Sequence, residues 1–562
     1  MCGIAGVFLR SGKISADFLI SMGDAMAHRG PDGDGIYTKG HFGFIHKRLS
    51  ILDVDGGAQP ISNNNKTVHI IANGEIYNYT QLNKQLDVTC KTKSDTESAL
   101  HAYLKYGAEF PQHLQGMYAI AIFDENTKTL YLARDPFGIK PLYIAQTAKG
   151  IAFASEPAVL TKSGWIKAEV ETEVLPAFFN RQYVAGTKTL FKGIERLKAG
   201  EILTIQNGEV IDRACYLPKL EEPQNIDNPL EQLDILFKNA IHSHLQSDVP
   251  YGAFLSGGID SSTMVTAMAE HEKEPVRSYT IGFESSTVSD ERSTAQKLAE
   301  ECKTKHKSVN FNKDDFWHYL PIMCESMDDL VVDYAALPLL KLSEYAARDV
   351  KVILSGEGGD EIFAGYGRYR QKWWHRILGR SFRGRGDLNG FENMFKFSIP
   401  ASQNMVAPQN LTAIQQQQWL DIQDWLPDDL LLKVDRCLMR YSIEGRVPYL
   451  DDKFAEFAFS LPDTWKIKGK HGKWVLKAYL QSKHIFMDVF AKKKGFTVPI
   501  HDWLSEKQQD IYTFLKDHKG IEEIIPADKL KEFFVKPFNK KQAKLCFSLL
   551  CYAYWYSEHI EK

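Results

Sequence analysis

A chain of 562 residues is too long for one hydrophobic core, so two domains with a further helical segment are expected. With 25% charged and 44% hydrophobic residues and a formal net charge of −3, nothing in the composition favours nucleic acid or a membrane surface as a partner. There is no eighteen-residue apolar run, no signal-peptide pattern and no paired or ligand-spaced set among the eight cysteines, so a cytosolic (cytoplasmic) protein is expected, with neither a disulfide framework nor a zinc site set by pattern.

The chain opens on Met1-Cys2-Gly3-Ile4-Ala5-Gly6-Val7-Phe8, an apolar strand with a thiol at its second residue. A small residue at position two lets the initiator Met be removed, and Cys2 would then carry thiol and α-amine together. Their ordinary pKa values, about 8.5 and 7.7–8.0, make the proton shift from sulfur to nitrogen cost only about 1 kcal/mol, so one residue supplies nucleophile and base. His28-Arg29-Gly30-Pro31-Asp32-Gly33 reads as a loop, and a strand then ends in Arg48-Leu49-Ser50-Ile51-Leu52. A β-branched strand at 68–71 runs into Asn73-Gly74-Glu75-Ile76-Tyr77-Asn78, where Asn-Gly alone also fits a type I′ hairpin turn. Ser94-Asp95-Thr96-Glu97 has the spacing of a capping box ahead of a helix, and alternating strands follow at 117–123 and 129–133. Residues 217–228, polar and holding Pro218 and Pro223, read as a linker, and an amphipathic helix follows at 229–246.

From there the pattern becomes strand then helix, repeatedly. Residues 251–255 form a short buried strand, Ser256-Gly257-Gly258 a bare turn and Ile259-Asp260-Ser261-Ser262 the entry to a helix. Such a turn adds free N–H groups to the roughly half-unit positive charge of a helix N-terminus, so it suits an anion. Strands are expected at 276–283, 306–311 and 351–354, and helices at 289–302, 314–326, 336–347 and 426–441. A second glycine turn, Ser355-Gly356-Glu357-Gly358-Gly359-Asp360-Glu361, follows the last of these strands. The alternation implies a parallel sheet with helices on both faces and a ligand site beyond the strand C-termini. Trp373-Trp374 and the basic run 376–385, like Lys492-Lys493-Lys494, read as solvated charge.

Cys-Gly-Ile at the start, His-Arg-Gly-Pro-Asp, Arg-Leu-Ser-Ile, Asn-Gly-Glu-Ile-Tyr-Asn and Ser-Asp-Thr-Glu, in this order from Cys2 to about Leu160, resemble a class II glutamine amidotransferase. Ser-Gly-Gly-Ile-Asp-Ser resembles the pyrophosphate loop of the ATP pyrophosphatases. With Ser-Gly-Glu-Gly-Gly-Asp-Glu downstream, the chain to about Trp503 resembles the glutamine-dependent asparagine synthetases. The resemblance implies an α+β N-terminal-nucleophile hydrolase domain of stacked antiparallel sheets between helices over 2–216, and the linker 217–228. Over 229–562 it implies an α/β parallel-sheet adenine-nucleotide α-hydrolase-like domain with helical additions.

By the same resemblance Cys2 is the nucleophile, and Asn73 and the Gly74 N–H receive the oxyanion. Arg48 takes the glutamine α-carboxylate and Asp95 its ammonium, with Leu49, Ser50, Ile51, Leu52 and Glu75 lining the site. Leu255, Ser256, Gly257, Gly258, Asp260, Ser261, Ile281, Ser355 and Gly356 hold ATP, while Asp260 and Asp360 hold Mg²⁺ on the leaving pyrophosphate. Glu357 acts on the acyl-adenylate and Lys473, with Lys477 as runner-up, neutralises growing phosphate charge. Segment 444–452 resembles a lining of the acceptor cleft. The expected reaction releases ammonia from glutamine, adenylates aspartate and forms asparagine, with a dry apolar passage between the sites and a homodimer as one assembly. Tyr334-Ala335-Ala336-Leu337-Pro338-Leu339-Leu340 replaces a polar segment of the best-known bacterial members, so a carboxylate of another kind, such as a surface-polysaccharide sugar acid, is the alternative acceptor.

Overall fold

The computed structural model describes residues 2–283, 291–370, 388, 390–398, 405–485, 488–490 and 498–562. Trp373, Trp374, the basic run 376–385, Lys492 to Lys494 and the start of the helix expected from 289 lie outside these residues.

Alternation along the first strand builds the first half. Gly3–Leu9 pairs antiparallel with Phe42–Arg48 on one side and Gly150–Ala154 on the other, at the middle of a six-stranded sheet. Its Ile4 and Phe8 point into a core shared with Ile71, Ala119, Ala121 and Phe123 of a second six-stranded antiparallel sheet. Its Ala5 and Val7 face the other way, onto Leu19 and Met22 of the helix Ala16–Asp24. The second sheet buries Ile70, Ala72, Ile120 and Ile122 against Leu82, Leu86, Ala99 and Leu100 of the helices Tyr79–Leu86 and Asp95–Tyr106. Period-two burial on both faces thus gives the expected layering of helix, sheet, sheet and helix.

Two local expectations change. Asn73-Gly74 is not a hairpin turn: the strand runs unbroken over Val68–Ile76 and pairs with Gly116–Asp124. Gly74 has φ +149, and a Cβ there would fall 1.9 Å from the Met117 carbonyl oxygen, so only glycine allows the two strands this close. The capping box does not form either. Ser94 makes no side-chain cap, and Glu97 instead accepts from the Lys91 and Thr92 N–H groups, at 2.9 and 2.7 Å.

The second half holds one parallel sheet in the order Lys305–Phe311, Arg277–Phe283, Tyr251–Phe254, Val352–Leu354, Glu444–Arg446. The chain reverses its direction of winding between Tyr251–Phe254 and Val352–Leu354, the strands that carry the two glycine turns. The helix expected at 426–441 is a π-helical stretch, Asp421–Leu431, containing Pro427, continued by the α-helix Leu432–Met439. Residues 217–228 lie along the second half, with the Lys219 N–H on Glu456 and the Gln224 N–H on the Ser460 carbonyl, both at 2.9 Å. No helix among the described residues is long and apolar enough to cross a membrane.

Candidate active sites

Cys2 ends up buried at the start of the first sheet's central strand, its sulfur 3.9 Å from the Leu49 carbonyl. Burial pushes its thiol above the ordinary value, so the thiolate needs a proton acceptor beside it. The Cys2 backbone nitrogen donates to Asn73 Oδ1 at 2.9 Å, which turns Asn73 Nδ2 away from it; that nitrogen is buried and has no hydrogen-bond partner. A buried unmet donor on the side chain that holds the Cys2 nitrogen suits a developing oxyanion.

Cys2, Arg48, Leu49, Ile51, Leu52, Gly74, Glu75 and Asp95 line one pocket. Ser50 does not join them; its N–H donates to Asp32 at 2.8 Å and fixes the loop behind. Arg48 is clamped from one side by the carbonyls of Val54 and Asp53, at 3.0 and 2.6 Å, and passes over Gly57, where a Cβ would lie 2.8 Å from Nη2. Asp95 accepts from the Ile76 N–H at 2.6 Å and is pushed up to about 6, chiefly by burial. Burial first, then the Glu444 carboxylate, raises Glu75, while Arg446 opposes both. Ser94 and Thr96 of the Ser-Asp-Thr-Glu string also line the pocket, as do Gly57, Gln59 and Glu444, which were not expected there.

At the parallel sheet the two glycine turns meet. A Cβ on Gly356 would sit 3.0 Å from Asp260 Cβ, so the turns touch only because this position is bare. Gly257 has φ +75, and Ser256 and Ser261 close the first turn through their hydroxyls at 3.1 Å. Leu255 hangs from the Tyr279 carbonyl at 2.8 Å, two residues before Ile281 on the next strand, and Ser355 donates its N–H to the Arg446 carbonyl at 2.9 Å. The Ser355 hydroxyl is buried without a partner.

Lys473 reaches between the turns. Its Nζ contacts Asp260 Oδ2 and lies 2.6 Å from Asp360 Oδ1, and although burial opposes it, these two carboxylates hold the ammonium above its ordinary value. Lys477 is elsewhere, beside the Phe490 ring. Two carboxylates converging on one cation offer the hard oxygen set that suits Mg²⁺ bound together with phosphates. Gly365 backs them, since a Cβ there would fall 1.9 Å from Asp360 Oδ1. Glu357 is raised, first by burial and then by Asp360, Asp333 and Asp260, against the pull of Lys433. Glu361, the last residue of the glycine-turn string but not expected at the site, stands next to it with Tyr366: the Tyr366 hydroxyl donates to Glu361 at 2.5 Å, and burial with Asp360 pushes Glu361 up to about 8.

The family model described as asparagine synthase matches residues 232–557, and that of the glutamine amidotransferase domain matches residues 1–216. The first match covers more than half of the chain. The chain belongs to the asparagine synthase family. Glutamine-hydrolyzing asparagine synthetase 1 of Bacillus subtilis (strain 168) is 31% identical, over 100% of this chain and 97% of its own. A putative glutamine-hydrolyzing asparagine synthetase of Mycobacterium tuberculosis (strain ATCC 25618 / H37Rv) is 32% identical over 90% of this chain and 88% of its own. Asparagine synthetase 3 of B. subtilis is 28% identical over 94% of each.

In this asparagine synthase family member the two sites are joined by charge as well as by apolar packing. Arg29 donates to the Cys2 carbonyl at 3.2 Å, to Glu156 at 2.8 Å and to both carboxylate oxygens of Asp435 at 2.8 and 3.1 Å. Arg446 spans Glu75 and Glu444, and Lys140 donates to the Gly445 carbonyl at 3.1 Å. A belt of buried and mutually paired charges thus surrounds the Cys2 end, where an apolar passage was expected to begin. Glu444, the first residue of segment 444–452, lines the pocket that holds Cys2.

Proposed function

We propose that this chain is a glutamine-dependent asparagine synthetase, an AMP-forming carbon–nitrogen ligase of the cytoplasm; its eight free thiols suit a reducing compartment. The observation that supports the first half-reaction is the buried, unpartnered Nδ2 of Asn73, whose Oδ1 holds the Cys2 nitrogen. With Met1 removed, the Cys2 α-amine takes the thiol proton and the sulfur attacks the glutamine amide carbon. Arg48 and Asp95 grip the α-carboxylate and α-ammonium. The oxyanion accepts from Asn73 Nδ2 and the Gly74 N–H, and ammonia leaves the thioester, which water then hydrolyses to glutamate.

In the second half-reaction the glycine turns and the first turn of the helix Ile259–His271 bind the ATP phosphates, with adenine against Leu255 and Ile281. An aspartate β-carboxylate oxygen attacks the α-phosphorus and pyrophosphate departs. Lys473 follows the charge growing on it. Asp260 and Asp360 would hold Mg²⁺, which supplies charge neutralisation on the phosphates. Ammonia then attacks the acyl carbon, AMP leaves, and Glu357, its pKa raised toward the working pH, takes the ammonia proton.

Two features favour aspartate over a sugar acid. Ala336, Leu337 and Leu340 of the apolar segment are buried in the core, so their composition answers to packing. Beside Glu357, the buried Lys433–Asp333 pair at 2.9 Å offers one charge of each sign, as a zwitterionic amino acid needs and a uronic acid does not. Pyrophosphate release should therefore respond to aspartate and stay silent with uronic acids; the reverse would overturn the acceptor. Cys2→Ala should abolish synthesis from glutamine and spare synthesis from added ammonia, and loss of both would refute the division of labour.

A further inference from the structure

Behind the glutamine pocket, donors of three chemical types converge. One ligating atom each from Cys90, Glu97 and His101 lie within 4.8 Å of one another, and Glu97 Oε1 stands 3.7 Å from His101 Nε2. None of the three lines the glutamine pocket. Glu97 and His101 are one turn apart on Asp95–Tyr106, and Cys90 comes from the loop that leads into that helix. We infer that Cys90, Glu97 and His101 form a binding site for a zinc ion.

The bland account is that Glu97 merely ties down its loop, since it accepts from the Lys91 N–H, the Thr92 N–H and the Thr92 hydroxyl. That explains Glu97 and leaves two things over. His101 is aimed at the same carboxylate although nothing in the loop requires it. The Cys90 thiol engages the Ser98 and Asn83 side chains, and apart from that contact the buried Ser98 Oγ and Asn83 Oδ1 have no hydrogen-bond partner. The Ser98 hydroxyl, with spare acceptor capacity next to a thiol, can supply a fourth ligand or the anchor for a ligating water. The loop hydrogen bonds then act as the supports that orient Glu97 toward a cation.

The donor set selects the metal. Thiolate with imidazole and one carboxylate suits zinc and disfavours Mg²⁺ or Ca²⁺, which take oxygen ligands. Tetrahedral zinc bonds of about 2.0–2.3 Å put an O–N edge at about 3.3 Å and an edge to sulfur at about 3.5 Å, so the Glu97–His101 edge of 3.7 Å closes by about 0.4 Å and Cys90, within 4.8 Å of both, by up to about 1.3 Å. On binding, the thiol proton goes to solvent and sulfur becomes a ligand. Spacings of seven and four residues match no familiar zinc pattern, which is why the sequence is silent about it.

The test uses the full chain freed of metal. Zn²⁺ titrated against a chromophoric chelator should show a tight equivalent in the wild type, and Co²⁺ in its place should give a thiolate-to-metal charge-transfer band. Cys90→Ser and His101→Gln should each weaken that equivalent by about tenfold or more and Cys90→Ser should erase the band, with unchanged circular dichroism certifying the fold. Equal uptake by wild type and both variants, as zinc on Cys2 would produce, or no uptake at all, would overturn the site.

Discussion

A buried N–H left without a partner costs about 1–3 kcal/mol, so Asn73 Nδ2 is a local sacrifice of stability at the one place where an incoming oxyanion would repay it. Asn73→Ala should lower glutamine hydrolysis by about 10²–10³-fold and leave ammonia-dependent synthesis untouched. Glutamate and pyrophosphate release, followed in parallel, separate the two. Asp95 gives the matching pH dependence. With its carboxyl pushed up to about 6, it loses its charge as pH falls through 6, and with it the charge-assisted bond to the glutamine ammonium. The glutamine KM should therefore climb by up to about tenfold per unit below pH 6, while Asp95→Asn should bind weakly with a flat profile. In stability the sign is opposite. A carboxyl raised on folding favours the folded state most below its unfolded value near 4 and loses that contribution as pH rises through 6.

The helix Leu432–Met439 connects these chemistries. Its Lys433 acts on Glu357 at one site, and two and three residues later Asp435 and Arg436 enter the charge cluster that holds the Cys2 carbonyl through Arg29. Arg436 is itself neutralised by Asp328 at 2.8 Å and by Asp435 at 3.0 Å, so the cluster closes on paired charges. Removing one member leaves buried guanidinium groups unmatched, which typically costs about 3–5 kcal/mol. Asp435→Ala should accordingly depress Tm strongly and weaken glutamine hydrolysis more than ammonia-dependent synthesis. An unchanged Tm would mean that water already reaches Arg29.

At the scale of the molecule, the last long helix, Lys540–Tyr556, clasps both halves. Trp555 donates to the Asp328 carbonyl at 2.7 Å and packs on Phe191 with ring centres 5.2 Å apart. Such contacts are invisible in sequence, where this region reads as helices without chemistry. The glycine turns were legible because their requirement is local: Gly257 needs a positive φ, and strand, turn and helix follow one another within about twenty residues. Glu97 was misread for the same reason, since its spacing from Ser94 fits a cap and only the neighbouring loop offers it better donors.

Residue type and local order were enough to nominate the candidate reactive groups, because a thiol at position two, an arginine in an Arg-Leu-Ser-Ile string and carboxylates on glycine turns have few other uses together. Tertiary structure alone decided their partners. It set Lys473 rather than Lys477 between Asp260 and Asp360, brought Glu444 into a pocket built by the other half, and joined Arg446 to Glu75 across 371 positions. A buried charge is satisfied by whichever opposite charge the fold brings within about 3 Å, and spacing along the chain carries no record of that meeting.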